Sequence, residues 1–309
     1  MTTVFTGSTM NDEARRERIF QGDVFVYAAS PASRELVSFA RELVAETFGG
    51  MDPTTAQHSL PVERFAALLA DVKPRFIHHP RCKEIIAVLL DELGFAPGET
   101  YFDVPRLRTS TSDGYLDSGI SYAYHAHRDC WYAAPFNQVN WWIPVYDVVP
   151  ENVFALHPEY FDRAVRNGSG RYDYASWVRT ERPSAAQHIY SDTREQPKPE
   201  EDLDLSGELR IVTEPGGVLL FSGAQLHSTV RNTSGVTRFS IDFRTVHIDD
   251  VRSRKGAPNV DATCLGTTLR DFMRAKDLER MPEELSAEYE KEARAHLERA
   301  NAATADISH

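Results

Sequence analysis

Residues 121–145 read SYAYHAHRDCWYAAPFNQVNWWIPV. The stretch is crowded with aromatic residues, which favour the pleated, half-buried surface of a strand. Side chains alternate between faces in an extended chain, so His125, His127 and, if the strand continues, Asp129 point the same way. Further on, Asn140 and Trp142 share one face while Trp141 and Ile143 share the other, which predicts packing of the second pair against helices.

The same texture begins near Thr100 with TYFDVPRLRTS (100–110) and breaks at Ser112-Asp113-Gly114. It returns as ELRIVT (208–213), GGVLLF (216–221), LHSTV (226–230) and TRFSIDFRTVHI (237–248), with turns at Gly216-Gly217 and Asn232 to Gly235. Upstream the chain reads helical. Ser30-Pro31 opens a helix that Gly49-Gly50 stops, and two more are predicted from Pro61 to Val72 and from Pro80 to Leu93, the last closed by Gly94. Helices followed by many short strands around a long insert predict a mainly β fold with helical buttresses, a double-stranded β-helix or jelly roll. Strands do not alternate regularly with helices, which argues against a parallel α/β fold. The expected organisation is a single domain over 1–309, with a helical flank (1–97), a jelly-roll core (98–250) carrying an insert (151–207), and a C-terminal helical extension (251–309). In that extension Leu285, Tyr289, Ala293 and Leu297 form the apolar stripe of a helix expected to pack on its own domain.

A ferrous site for oxygen chemistry needs two neutral imidazoles and a carboxylate on one side of the ion, leaving positions open on the other. His127 and Asp129 supply two such groups, and His227, just after a glycine turn and a strand, offers the third. Eleven residues beyond His227 stands Arg238, followed by Ser240. On an extended strand these two share a face with Asp242 and Arg244. An inward guanidinium beside a hydroxyl is a good carboxylate receptor, because Arg presents a planar donor fork.

This order, His-x-Asp, an interval of about a hundred residues, His, then Arg-x-Ser, resembles the iron(II)- and 2-oxoglutarate-dependent dioxygenases, and within them the phytanoyl-CoA hydroxylase-like branch. The resemblance covers roughly 101–249. It implies a double-stranded β-helix core, Fe(II) held by His127, Asp129 and His227, and the distal carboxylate of 2-oxoglutarate bound at Arg238 and Ser240; strand parity makes Asn140 and Trp142 candidates to line that site. O₂ is the other co-substrate, and succinate and CO₂ are the co-products. The retained Asp129 favours hydroxylation, desaturation or ring closure over halogenation. The stretch from Glu151 to Leu205 matches no pattern of the family, so the substrate is not implied.

Arg106 and Arg108 alternate in phase. If they or Arg244 point inward, a negatively charged substrate such as a carboxylate or amino acid is expected; otherwise they form salt bridges with the many acidic residues. His125 is a candidate substrate-facing group, or it replaces His127 in a His-x-His pair of a metal-dependent cupin-type enzyme that does not use 2-oxoglutarate. A non-catalytic jelly-roll binding protein is a further alternative, though a decayed site would be expected to have lost one of these groups.

The composition bounds the partners. The chain has 309 residues, 41% of them hydrophobic, enough for a substantial core. Its 34 Lys and Arg against 46 Asp and Glu give a net charge of −12, which opposes a grip on nucleic acid. There is no apolar run of membrane-spanning length and no signal-peptide core, so a cytoplasmic protein acting on a small molecule is expected. Cys82, Cys130 and Cys264 are odd in number and far apart, which predicts reduced thiols.

Overall fold

A computed structural model describes residues 2–121, 124–181, 188–191 and 193–307. Tyr122 and Ala123 of the strand expected around His127 lie outside these, as do 182–187 and 192 of the insert and 308–309 of the extension. The strands are β1 (Val4–Thr6), β2 (Val24–Tyr27), β3 (Thr100–Phe102), β4 (Arg106–Ser110), β5 (Val139–Pro144), β6 (Phe154–Leu156), β7 (Leu209–Arg210), β8 (Val218–Ser222), β9 (His227–Thr229), β10 (Arg238–His247) and β11 (Met273–Arg274). The helices are α1 (Asp12–Ile19), α2 (Pro31–Phe48), α3 (Val62–His78), α4 (Pro80–Glu92), α5 (Tyr174–Thr180), α6 (Ile248–Ser253) and α7 (Glu283–Ile307).

Local chemistry explains the helical layer. Ser30 and Ser33 exchange side-chain to backbone hydrogen bonds at the start of α2, Pro31 occupies its first turn, and Gly49 ends it in the left-handed region at φ 60°. Its buried stripe, including Leu36, Phe39, Ala40 and Leu43, faces the main sheet with α3 and α4. α3 does not stop at Val72 as expected but continues through Pro74 to His78. An internal proline removes a hydrogen bond and clashes with the preceding turn, at about 3 kcal/mol. Full burial of Phe76 beyond it, stacked on Phe39 at 6.0 Å, offsets a comparable amount, roughly 1.5–3 kcal/mol.

The main sheet runs β1-β2-β8-β5-β10-β3-β11, with β4 also paired to β10. β1 and β2 lie in the segment expected to be only a helical flank; VFVY at 24–27 is short, yet Phe25 pairs with Leu220 and extends the sheet. A small sheet, β7-β6-β9, faces it, and Phe154 of β6 meets Trp142 and Phe221 across the gap at 5.2 and 5.3 Å. The result is the mainly β jelly roll with helical buttresses that the pattern predicts. The insert therefore begins later than Glu151, because Phe154–Leu156 belongs to the small sheet. The C-terminal extension is likewise not purely helical, since β11 adds an edge to the main sheet beside β3.

Strand parity sorts the two faces. Trp141, Ile143, Phe239, Ile241 and Phe243 pack on the helices, with Trp141 4.9 Å from the rings of both Phe95 and Phe243. The opposite face carries Asn140, Trp142, Arg238, Ser240, Asp242 and Arg244 into the space between the sheets. Leu285 and Tyr289 of α7 pack against the cluster of Tyr101, Val251 and Phe272, so this helix lies on its own domain. All three cysteines are free, and burial pushes their thiols up, Cys82 to about 12 and Cys264 to about 11.

Candidate metal centre

His127 and His227 come from distant parts of the chain and are clipped together by their own backbones. Each donates its N–H to the other's carbonyl at 2.9 Å, so His127 adds one residue to the small sheet beside β9. Asp129 N–H donates to Gly223 O at 2.9 Å, and the chain then turns through a 3₁₀ segment, Asp129–Tyr132. The expected long strand is therefore absent among the described residues. Its alternation nevertheless survives over three positions: His127 and Asp129 face the cavity while Arg128 points away.

One ligand-type atom from each of His127, Asp129 and His227 lies within 4.8 Å of the others. Asp129 Oδ1 stands 3.7 Å from His127 Nε2 and 3.9 Å from His227 Nε2. The Nδ1 atoms lie 2.8 Å from His125 O and 2.9 Å from Gln225 O, respectively. A carbonyl accepts a proton there, which fixes the Nδ1–H tautomer and turns both Nε2 lone pairs toward the gap. Burial, together with the neighbouring His227, pushes the His127 imidazolium down to about 3, so the ring is neutral at pH 7.

Asp129 is held from behind. Its Oδ2 accepts from Gln138 Nε2 at 2.9 Å and Asn140 Nδ2 at 2.8 Å, with Arg244 Nε at 3.5 Å. Burial opposes the charge, yet Arg244 and the two imidazoles keep the carboxyl well below its ordinary value. Gln138 was not singled out by sequence, although it shares the parity of Asn140 and Trp142. Asn140 lines the cavity and one of its amide N–H groups donates to Asp129, so it also supports the ligand carboxylate. Arg244 lines the cavity and bridges Asp129, Asp103 and Asp242, the salt-bridge alternative of the sequence reading.

The intervening Arg128 buttresses the ligand segment. It is wholly buried, with Nε 3.0 Å from Asp261 Oδ2 and NH1 2.6 Å from Ala224 O. Asp261 also accepts from Trp131 Nε1 at 2.7 Å. Removing one partner of a buried ion pair leaves an uncompensated charge. Asp261→Ala is therefore expected to lower the unfolding free energy by about 3 kcal/mol, read by urea denaturation; a change below about 1 kcal/mol, the range of exposed pairs, would contradict this role.

No protein-family model and no curated protein matches the sequence. Among solved structures the chain is similar to a non-heme monooxygenase, ThoJ, in its apo form (12% identity, 91% of this chain and 94% of that one, TM-score 0.38). It is also similar to EctD from S. alaskensis (15% identity, 80% and 82%, TM-score 0.40). A third similarity is to EvdO2 from Micromonospora carbonacea var. aurantiaca complexed with 2-oxoglutarate (14% identity, 56% of this chain, TM-score 0.35). The match spans 62% of the EvdO2 chain, less than two thirds of its length.

Across the cavity of about 420 Å³, Arg238 and Ser240 form a second polar group. Arg238 is buried, its NH1 donates to Asn152 O at 3.1 Å, and its Nε has no partner. Among the described residues it makes no salt bridge, and the carboxylate of Asp242 is bonded to Arg108 at 2.8 Å. Burial pushes its guanidinium down to about 10. Ser240 Oγ is also buried without a partner, and Trp142 walls the group, its ring 5.9 Å from the Arg238 guanidinium carbon.

The remaining candidates divide. Arg106 pairs with Asp103 at 2.7 Å and Arg108 with Asp242 at 2.8 Å, so the salt-bridge alternative holds for both although they line the cavity. The His125 side chain is exposed and absent from the cavity wall, which corrects its candidacy as ligand or substrate contact; its contribution is the carbonyl that orients His127.

Proposed function

We propose that the chain is an Fe(II)- and 2-oxoglutarate-dependent oxygenase of the phytanoyl-CoA hydroxylase-like branch, acting on a small molecule. The observation that carries this reading is the pairing, in one cavity, of an open two-histidine, one-carboxylate set with a buried arginine and hydroxyl that lack an anion. Two neutral imidazoles and one carboxylate on the same side of a gap suit ferrous iron with free coordination positions. A buried guanidinium without a carboxylate is unfavourable until an anion arrives, so Arg238 and Ser240 fit the distal carboxylate of 2-oxoglutarate.

With iron and 2-oxoglutarate bound, O₂ chemistry would supply oxidative decarboxylation to succinate and CO₂ and the oxidising power for hydroxylation, desaturation or ring closure. The chain's own residues do the positioning. His125 O and Gln225 O hold the imidazole tautomers, Gln138, Asn140 and Arg244 hold Asp129, and Trp142, Phe154 and Phe221 exclude water around the ligands. The cupin-type alternative requires His125 as a ligand, and its exposed side chain speaks against that. The negative charge of the chain argues against nucleic acid, and among the described residues no helix is long and apolar enough to cross a membrane. We place the protein in the cytoplasm as a single domain.

Thermal unfolding without oxygen tests the reading. Mn(II) and 2-oxoglutarate together are expected to stabilise the fold by about 2.7 kcal/mol at a hundredfold excess over Kd, and 2-oxoglutarate alone by much less. Equal melting temperatures with and without the pair would sink the proposal.

A further inference from the structure

The cavity holds a second cation that the oxygenase reading leaves idle. Lys73, half-buried on α3, reaches the edge strand β4, where its ammonium donates to Thr109 Oγ1 at 3.2 Å and to Ile120 O. An ammonium has three donors, so one remains. Among the described residues Lys73 makes no salt bridge. Its charged neighbours are Arg108, which repels it, and Asp242, which attracts it but is already bonded to Arg108. Burial, with Arg108 adding to it, pushes the amine down to about 7.

Arg106, Arg108 and Arg244 face Asp103, Asp242 and Asp129, and Arg238 is the receptor for the co-substrate. Arg194 and Asp271 also line the cavity, Arg194 donating to Gly119 O at 3.5 Å and Asp271 accepting from Tyr174 OH. Lys73 is left without a salt bridge among the described residues, and its spare donor suits a monoanion. Lys73, Tyr124 and His127 line the same cavity, in which Arg108 NH1 lies 3.5 Å from Tyr124 OH and the Tyr124 ring stacks on His127 at 5.0 Å. Tyr132 meets His127 edge-on at 5.4 Å and Tyr172 at the same distance.

We propose that Lys73 anchors a carboxylate on the substrate, whose apolar or aromatic body lies along Tyr124 and Tyr132 toward His127. The word substrate rests on the oxygenase reading; the anion site does not. The probes are phenylacetate, 3-phenylpropanoate and hexanoate, each against its primary amide. Binding is measured by saturation-transfer NMR on full-length protein, both bare and loaded anaerobically with Mn(II) and 2-oxoglutarate. At least one carboxylate is expected to bind about tenfold more tightly than its amide, a charge-assisted difference of about 1.4 kcal/mol. Lys73→Met should abolish the preference while leaving 2-oxoglutarate affinity unchanged.

The proposal is overturned if wild-type protein binds acids and amides alike or binds none of them. It is also overturned if Lys73→Met keeps the preference or weakens 2-oxoglutarate instead. The wild-type comparison stands even if the variant folds poorly. A carboxylate preference in protein that fails to bind Mn(II) and 2-oxoglutarate would support the anion site and remove the oxygenase reading.

Discussion

Asp129→Ala protein is expected to lose Fe(II) and Mn(II) binding by more than about 100-fold, while Asn140→Ala loses roughly 10–100-fold. The larger loss follows because Asp129 carries the only negative charge in the ligand set and faces both Nε2 atoms through Oδ1. Asn140 acts at one remove, through its 2.8 Å bond to Oδ2. With Asn140 gone, Gln138 and Arg244 still orient the carboxylate. Anaerobic titration followed by Mn(II) electron paramagnetic resonance separates the two. Wild-type affinity in Asp129→Ala would show that the carboxylate is not a ligand.

Arg238→Met is expected to weaken 2-oxoglutarate binding by roughly 100-fold, about 3 kcal/mol, the range for truncating one partner of a buried charge pair. Metal affinity should not change, because Arg238 contacts none of the three ligand residues. Stability should hold or rise. The folded protein without 2-oxoglutarate keeps a buried guanidinium with an unpartnered Nε, and replacing an uncompensated buried charge by a hydrophobe of similar volume removes a desolvation penalty. Weaker co-substrate binding with equal or greater resistance to urea is the signature of a group retained for binding. A variant that binds 2-oxoglutarate normally would move the receptor elsewhere.

These two residues also show what a linear sequence conveys. Arg238 and Ser240 were legible because side-chain alternation and a fixed spacing from His227 suffice to put them on the cavity face of one strand. His127 and Asp129 were legible for a different reason: alternation holds over three residues even where the chain forms one bridge and then a 3₁₀ turn. Parity says which way a side chain points and nothing about its partner. Parity thus left Arg244 open between a substrate and a salt bridge, and the register brings it to Asn140 on β5 and beside Asp129. His125 has the parity of His127, yet it is exposed and does not line the cavity. β1 and β2 are only three and four residues long, too short to announce themselves, and exist because β8 offers an edge to β2 and β2 in turn to β1. Lys73 was invisible for a related reason, since its meeting with Thr109 depends on how α3 lies across the edge of β4.

The measurement that tests the central claim most directly is the visible absorption of the anaerobic protein on adding Fe(II) and then 2-oxoglutarate. A weak charge-transfer band should appear only when both are present, be absent in Asp129→Ala, and require far more 2-oxoglutarate in Arg238→Met. No band from wild-type protein at saturating Fe(II) and 2-oxoglutarate, or an unchanged band in Asp129→Ala, would contradict the account.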